Sequence, residues 1–243
     1  KFSNNSFINV GNNSYSWSFG DGLGSGVNSP TKTYTTFGNY NVKLLSTSDN
    51  GCVDSMTKLV NVYSQPEVSF SKSDSAKCLN NNLFSFEAQS TNADGSSMKH
   101  QWRYGNVSID TGKNVNKSFS QSGLYLVKLI TTTNNNCADS VFTTVKIHAQ
   151  PQPSFSLSSN SQCLAANSFS ANNLSTIAVG GGTLSYGWKF GNGKSDVATN
   201  PTWSYTATNT YTVTLYAISS NFCKKRLATL KHSSCSSSVL DLM

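Results

Sequence analysis

Trp17-Ser18-Phe19-Gly20-Asp21-Gly22 decides how this chain is read, because stretches of the same kind return as Trp102-Arg103-Tyr104-Gly105-Asn106 and Trp188-Lys189-Phe190-Gly191-Asn192-Gly193. The three tryptophans stand 85 and then 86 residues apart, and Cys52, Cys137 and Cys223 keep the same two steps. So do Tyr40, Tyr125 and Tyr211, and the series Tyr34, Phe119 and Tyr205. Four landmarks holding one register mark an internal repeat, one structural unit present three times.

Within each unit the pattern has the period of strands. Tyr40-x-Val42-x-Leu44, Tyr125-x-Val127-x-Leu129 and Tyr211-x-Val213-x-Leu215 alternate with period two, so each set lines one buried face. Phe84-Ser85-Phe86 reads as an earlier strand of the second unit. Leu59–Val62, Phe142–Ile147 and Leu227–Leu230 read as the last strand of each. Glycine-containing turns close the tryptophan strands. About seven short strands per unit of this length predict an immunoglobulin-like sandwich. The fold class expected is therefore all-β, with three tandem immunoglobulin-like β-sandwich domains in an extended array.

In such a sandwich Trp17, Trp102 and Trp188 supply the central apolar mass, since a buried aromatic removes about 150–250 Å² from water. Tyr40, Tyr125 and Tyr211 stand near the start of the penultimate strand. There a tyrosine hydroxyl can return to nearby backbone.

Composition agrees with strands. Hydrophobic residues make up 37% and charged residues 12%, so solubility rests on Ser, Thr and Asn. No stretch has helical periodicity with caps, and no apolar run approaches the roughly 18 residues of a membrane-spanning helix. Gln65-Pro66-Glu67-Val68-Ser69-Phe70 and Gln150-Pro151-Gln152-Pro153-Ser154-Phe155 match at a spacing of 85 and mark linkers. Proline stiffens such crossings and favours a semi-rigid rod. The expected units are 1–64, 65–149 and 150–231, with 232–243 a tail or the start of another segment. Lys1-Phe2-Ser3-Asn4-Asn5 resembles neither a signal peptide nor a translation start, and the chain reads as the interior of a longer polypeptide.

Trp17–Gly22, then Ser29-Pro30-Thr31-Lys32-Thr33-Tyr34, then Gly38-Asn39-Tyr40-Asn41-Val42-Lys43-Leu44 resemble the PKD (polycystic kidney disease) domain pattern. The second copy keeps Trp102, Phe119, Gly123, Tyr125, Val127 and Leu129 but has Gly105-Asn106-Val107 at the turn. The third keeps Trp188, Phe190, Asn200-Pro201, Tyr205, Tyr211, Val213 and Leu215. The resemblance implies extracellular β-sandwich modules used as spacers, adhesive units or accessory domains of secreted hydrolases. The cysteine-bearing stretches Gly51-Cys52-Val53-Asp54-Ser55 and Asn136-Cys137-Ala138-Asp139-Ser140 resemble arrays in very large surface proteins of Bacteroidota. Many of those are exported by the type IX route and act in adhesion or gliding motility.

Six cysteines with a repeat logic read as a disulfide framework in an oxidising compartment. Cys78 and Cys163 are also 85 residues apart, so the expected pairs lie within units: Cys78–Cys137 and Cys163–Cys223. Each would close a loop of about 60 residues, worth roughly 4 kcal/mol in the loop-entropy model. Cys52 then lacks a partner, its counterpart falling before Lys1. Cys235 lies beyond the last repeat, either in a next segment or facing Cys52 of another chain.

Comparison of the copies also removes chemistry. Asp21 is the one tempting acid, and the weak candidate for a metal such as calcium. Its counterparts are Asn106 and Asn192, which keep the acceptor of an Asx-type turn and lose the charge. Eleven acids in the chain make a glycosidase carboxylate pair hard to assemble, and no Gly-x-Ser-x-Gly elbow is present. No catalytic residue, cofactor or metal site is assigned. The +7 charge is scattered, with no basic stripe for nucleic acid.

Two features remain. Trp203 stands where the other copies have Lys32 and Lys117, and an exposed indole there could stack on a sugar; the alternative is a strand-edge cap. Asp54-Ser55-Met56, Asp74-Ser75-Ala76 and Asp139-Ser140-Val141 resemble the Asp-Ser/Thr-apolar sequon for O-glycosylation of exported Bacteroidota proteins, with Ser55, Ser75 and Ser140 the acceptors. Otherwise each Asp is a turn acceptor. The expected function is a non-enzymatic extracellular repeat segment, spacer and adhesive module, of a large bacterial surface protein. The alternative is an accessory or carbohydrate-binding segment of a secreted hydrolase. Expected partners are neighbouring repeats, surface polysaccharide or another cell-surface protein, with no membrane span.

Overall fold

The computed structural model describes residues 1–105 and 108–235, and every regular element among them is a β-strand. The first module holds β1 (Asn13–Ser18), β2 (Gly24–Ser25), β3 (Gly38–Ser48) and β4 (Val53–Val62) in one sheet ordered β2-β1-β3-β4. The second holds β5 (Phe70–Lys72), β6 (Ala76–Cys78), β7 (Phe84–Ala88), β8 (Met98–Tyr104), β9 (Ser108–Thr111), β10 (Asn114–Lys117), β11 (Gly123–Thr133) and β12 (Ala138–His148). Its two sheets are ordered β10-β7-β5 and β6-β12-β11-β8-β9. The third repeats this with β13 (Phe155–Leu157), β14 (Ser161–Cys163), β15 (Phe169–Asn173), β16 (Leu184–Lys189), β17 (Ser195–Asp196), β18 (Thr202–Trp203), β19 (Thr210–Ser219) and β20 (Lys224–Cys235). Its sheets are β13-β15-β18 and β14-β20-β19-β16-β17.

Period-two alternation puts one face of each sheet inward. On β7 that face carries Phe84, Phe86 and Ala88, and on β11 it carries Val127 and Leu129, all buried. Trp102 pairs across from Leu129 and fills the space between the layers with no exposed surface. Trp188 and Trp17 hold the same place opposite Leu215 and Leu44. Each indole donates to a carbonyl ten or eleven residues further on: Trp17 to Asn28, Trp102 to Gly112 and Trp188 to Ala198.

Tyr40, Tyr125 and Tyr211 donate their hydroxyls to the carbonyls of Thr36, Gln121 and Ala207, four residues back in every copy. Their rings pack on Tyr34, Phe119 and Tyr205 at centroid distances of 4.0, 4.0 and 3.8 Å. Tyr34 and Tyr205 also donate to the carbonyls of Phe19 and Phe190. In the second module the two ring types are exchanged, with Phe119 and Tyr104 at those positions.

The parallel pairings decide where the cysteines lie. β6 runs beside the far end of β12, Ala76–Cys78 against Lys146–His148. Cys137 precedes Ala138, the first residue of that same strand. The two cysteines therefore stand an eleven-residue strand apart, about 36 Å at 3.3 Å per residue, whereas a disulfide needs Cα atoms within about 7 Å. The expected Cys78–Cys137 bridge is excluded by this geometry. Cys163 and Cys223 are separated in the same way, since β14 pairs with Ser233–Cys235 and Cys223 precedes the start of β20. β20 also carries His232–Cys235, the opening of the expected tail, into the third module.

The first module differs in having one sheet among the described residues. Phe2 lies against Trp17 and Phe19, with ring centroids 5.6 Å from each, and its amide donates to the Pro30 carbonyl. Elsewhere its inner face is open, and Met56, paired across from Leu44 on that face, is exposed.

Candidate functional site at the module junctions

The turn that carries the repeated cysteine is built alike three times. The hydroxyl oxygens of Ser48, Thr133 and Ser219 accept hydrogen bonds from the amides of Cys52, Cys137 and Cys223. The residue before each cysteine, Gly51, Asn136 or Phe222, has a positive φ of 80°, 63° or 62°. Phe222 adopts this left-handed conformation without glycine's freedom, and its ring is exposed. In the second and third modules this turn lies where the preceding linker enters, since Gln65 and Gln150 reach the carbonyls of Ala138 and Lys224, the residues after Cys137 and Cys223.

At the junction of the second and third modules this turn meets β6. Cys78 is bonded to Cys223 across 145 positions of sequence. Beside the bridge, the buried Gln150 side-chain amide donates to the Lys224 carbonyl at 2.6 Å, and Lys225 Nζ donates to Gln152 Oε1 at 2.8 Å. Pro151 is buried in the same place, so the linker is packed and not a free tether. A buried glutamine is held only because its amide is hydrogen-bonded.

The first junction repeats the arrangement without the bridge. Gln65 donates to the Ala138 carbonyl at 2.6 Å, the counterpart of Gln150 and Lys224. Ser64 is buried there; its amide donates to Asp94 Oδ2 at 2.9 Å, and its hydroxyl bonds Asn92 Oδ1. Asp94 also accepts from the Asn92 amide and the Ser96 backbone. Hydrogen bonds from Ser96 and then Ser64 hold its carboxyl down at about 2. Cys137 and Cys52 are unpaired, as is the exposed Cys163.

Asn82 and Asn167 form a brace that the repeat comparison did not single out. Asn82 donates to the carbonyls of Leu79 and Phe119 and accepts from the Phe119 amide at 2.7 Å. Asn167 makes the same three bonds with Leu164 and Tyr205. The spacing of four from Cys78 and Cys163 is the signal that could have shown it.

Trp203 is not a platform for a ligand. It is only 8% exposed, stacks on Phe190 at 4.4 Å and lies 6.0 Å from Phe169. Lys117 and Trp203 sit opposite the equivalent residues Phe84 and Phe169. Lys117 carries its ammonium over Tyr104, and Lys32 carries its own over Phe19 and Tyr34. The position therefore always covers the core aromatic, by a cation in two copies and by an indole in the third.

Asp21 accepts from the Leu23 amide and pairs with Lys32 at 2.5 Å. The Lys32 hydrogen bond is the main reason its carboxyl is held below the usual range. Asn192 accepts from the Lys194 amide in the same turn; Asn106 lies outside the described residues. No group of three or more His, Cys, Asp or Glu able to hold a metal occurs among the described residues.

Ser55 is exposed on β4, Ser75 is exposed before β6, and Ser140 is half-buried on β12. Asp54 and Asp139 each accept from the amide of the serine that follows, and Asp74 pairs with Lys77 at 2.8 Å. The open face of the first module forms a groove of about 860 Å³ lined by Phe2, Phe7, Trp17, Leu44, Met56 and Leu59.

Two profiles, both described as PKD domain, match residues 2–64 and 63–149 and residues 154–221. No curated protein matches the sequence. Among solved structures, the PKD1 domain of Vibrio anguillarum Epp is similar at 31% identity, over 35% of this chain and 96% of its own, with a TM-score of 0.31. The PKD1 domain of the Vibrio cholerae metalloprotease PrtV is similar at 29% identity, over 35% and 99%, also at 0.31. Three N-terminal domains of the bacteriophage RB49 outer capsid protein Hoc align over 93% of this chain and 88% of theirs, at 16% identity and 0.47.

Proposed function

We propose, since the chain belongs to the PKD domain family, that it is a load-bearing spacer segment in which successive sandwiches are locked end to end. PKD domains are generally extracellular, non-catalytic accessory modules, and no helix among the described residues is long and apolar enough to cross a membrane. The observation that carries the proposal is the Cys78–Cys223 bridge, flanked by the Gln150–Lys224 hydrogen bond and its counterpart at Gln65 and Ala138. A covalent link between modules serves transmission of force and orientation, neither of which a freely jointed accessory domain requires.

The setting we favour is a large surface protein of Bacteroidota exported by the type IX route, with roles in adhesion or gliding. Its support is the resemblance of the cysteine-bearing stretches alone. Burial of Trp203 removes the one aromatic that favoured a carbohydrate-binding accessory segment.

Pulling the chain from its two ends in an optical trap tests the spacer reading. With the bridge intact, unfolding leaves the 145-residue span between Cys78 and Cys223 unextended. Reduction then adds about 500 Å of contour, at roughly 3.5 Å per residue. A contour length indifferent to reductant, or modules that separate at the junction before any module unfolds, would contradict a locked spacer.

A further inference from the structure

Cys163 occupies on β14 the place that Cys78 occupies on β6, in a parallel strand paired with the far end of the module's last strand. Cys78 is bonded; Cys163 is exposed and unpaired. The complementary half, a cysteine in the Ser48/Thr133/Ser219 type of turn, occurs three times, at Cys52, Cys137 and Cys223. We propose that Cys163 is an open half of the same bridge and takes the turn cysteine of a further module of this type docked on the end of the third module.

The bridge is thereby a directional rule: the β6-type cysteine of one module joins the turn cysteine of the next. This inference rests on the spacer reading and extends it to the chain's own ends. The junction that already exists argues for such an occupant. It shows which strand end and which turn meet, and the Gln65–Ala138 contact shows the same docking where no bridge is present. A turn cysteine exposed on the first module, Cys52, makes a second copy of this chain a suitable probe. Cys137 is not equivalent, because its turn is already covered by the first module through Gln65. Joining Cys163 of one copy to Cys52 of another is head-to-tail, so it leads to open strings and not to closed pairs. In the step itself two thiols lose two protons and two electrons and form one S–S bond. The acceptor is a small disulfide such as glutathione disulfide, which leaves as two thiols.

The test is to equilibrate the purified full chain at high concentration in a glutathione redox buffer and map its disulfides by mass spectrometry without reduction. Covalent oligomers linked Cys163–Cys52 are expected, together with Cys78–Cys223 within each copy. Cys163→Ser and Cys52→Ser should each abolish the oligomers and leave Cys78–Cys223 in place. Cys235 stands opposite Cys163 in the backbone register of β14 and β20. A Cys163–Cys235 link, a Cys163–Cys137 link, or a Cys163 that stays reduced while Cys78–Cys223 forms would overturn the proposal. Absence of Cys78–Cys223 itself would instead remove the junction on which the spacer reading rests.

Discussion

Gln150 donates its side-chain amide to the carbonyl of Lys224 at 2.6 Å, and 85 residues earlier Gln65 makes the same bond to Ala138. One residue of the linker thus reads one carbonyl of the following module, just after the turn cysteine, at both junctions. Gln150→Ala leaves the Lys224 carbonyl without this donor in a packed setting, at a cost of about 1–3 kcal/mol. We expect the Cys78–Cys223 bond to be reduced several-fold faster by dithiothreitol in that variant, with the thermal stability of the second module little changed. An unaltered reduction rate would show that the glutamine does not hold the junction.

The Asn82 brace makes the second module vulnerable at one polar side chain. Asn82→Ala orphans the buried Phe119 amide and takes a donor from two carbonyls. Loss of about 2–4 kcal/mol is expected, since each unsatisfied buried group costs about 1–3 kcal/mol. Urea unfolding followed by tryptophan fluorescence reads it, and a change below about 0.5 kcal/mol would deny the brace its role.

For Trp203 the prediction is structural. Trp203→Ala should destabilise the third module by about 3–5 kcal/mol, the usual range for truncating a buried aromatic. Trp203→Lys should recover part of this loss, because Lys32 and Lys117 occupy the position in the other modules. Calorimetry of the two variants decides the matter, and equal loss in both would contradict a shared covering role.

Acid should loosen the first junction before the cores. Asp94 has its carboxyl depressed to about 2 by hydrogen bonds from Ser96 and Ser64, against about 3.8 in the unfolded chain. A depressed carboxyl stabilises the folded form above the unfolded value, and that contribution is lost as pH falls through the folded one. Hydrogen exchange at the Ser64 amide should therefore be unchanged between pH 7 and 5, after correction for intrinsic rates. It should lose protection between about pH 4 and 2. Asp94→Asn should flatten this profile; loss of protection already at pH 5 would point to another group.

The repeat made the fold legible, because Trp17, Trp102 and Trp188 and the tyrosine strands keep both register and period. It also located the linkers and the shared turn at Asp21 and Asn192. The disulfide was not legible, because pairing within a module and pairing with the next module preserve the same register. The choice depends on which end of β12 lies beside Cys78, and that is set by β6, a three-residue strand too short to leave a pattern. At Trp203 the choice between a sugar platform and a strand-edge cap stayed open for a related reason. Lysine and tryptophan look unlike in sequence, yet each covers the same ring. Asn82 was hidden among Asn80 and Asn81 in an asparagine-rich chain, and its polarity gives no hint of burial.

The measurement closest to the central claim is a disulfide map of the native chain, digested without reduction with free thiols blocked at acid pH. Through-junction locking predicts a peptide pair containing Cys78 and Cys223. Peptide pairs joining Cys78 to Cys137 and Cys163 to Cys223 would place the bridges inside the modules and contradict it.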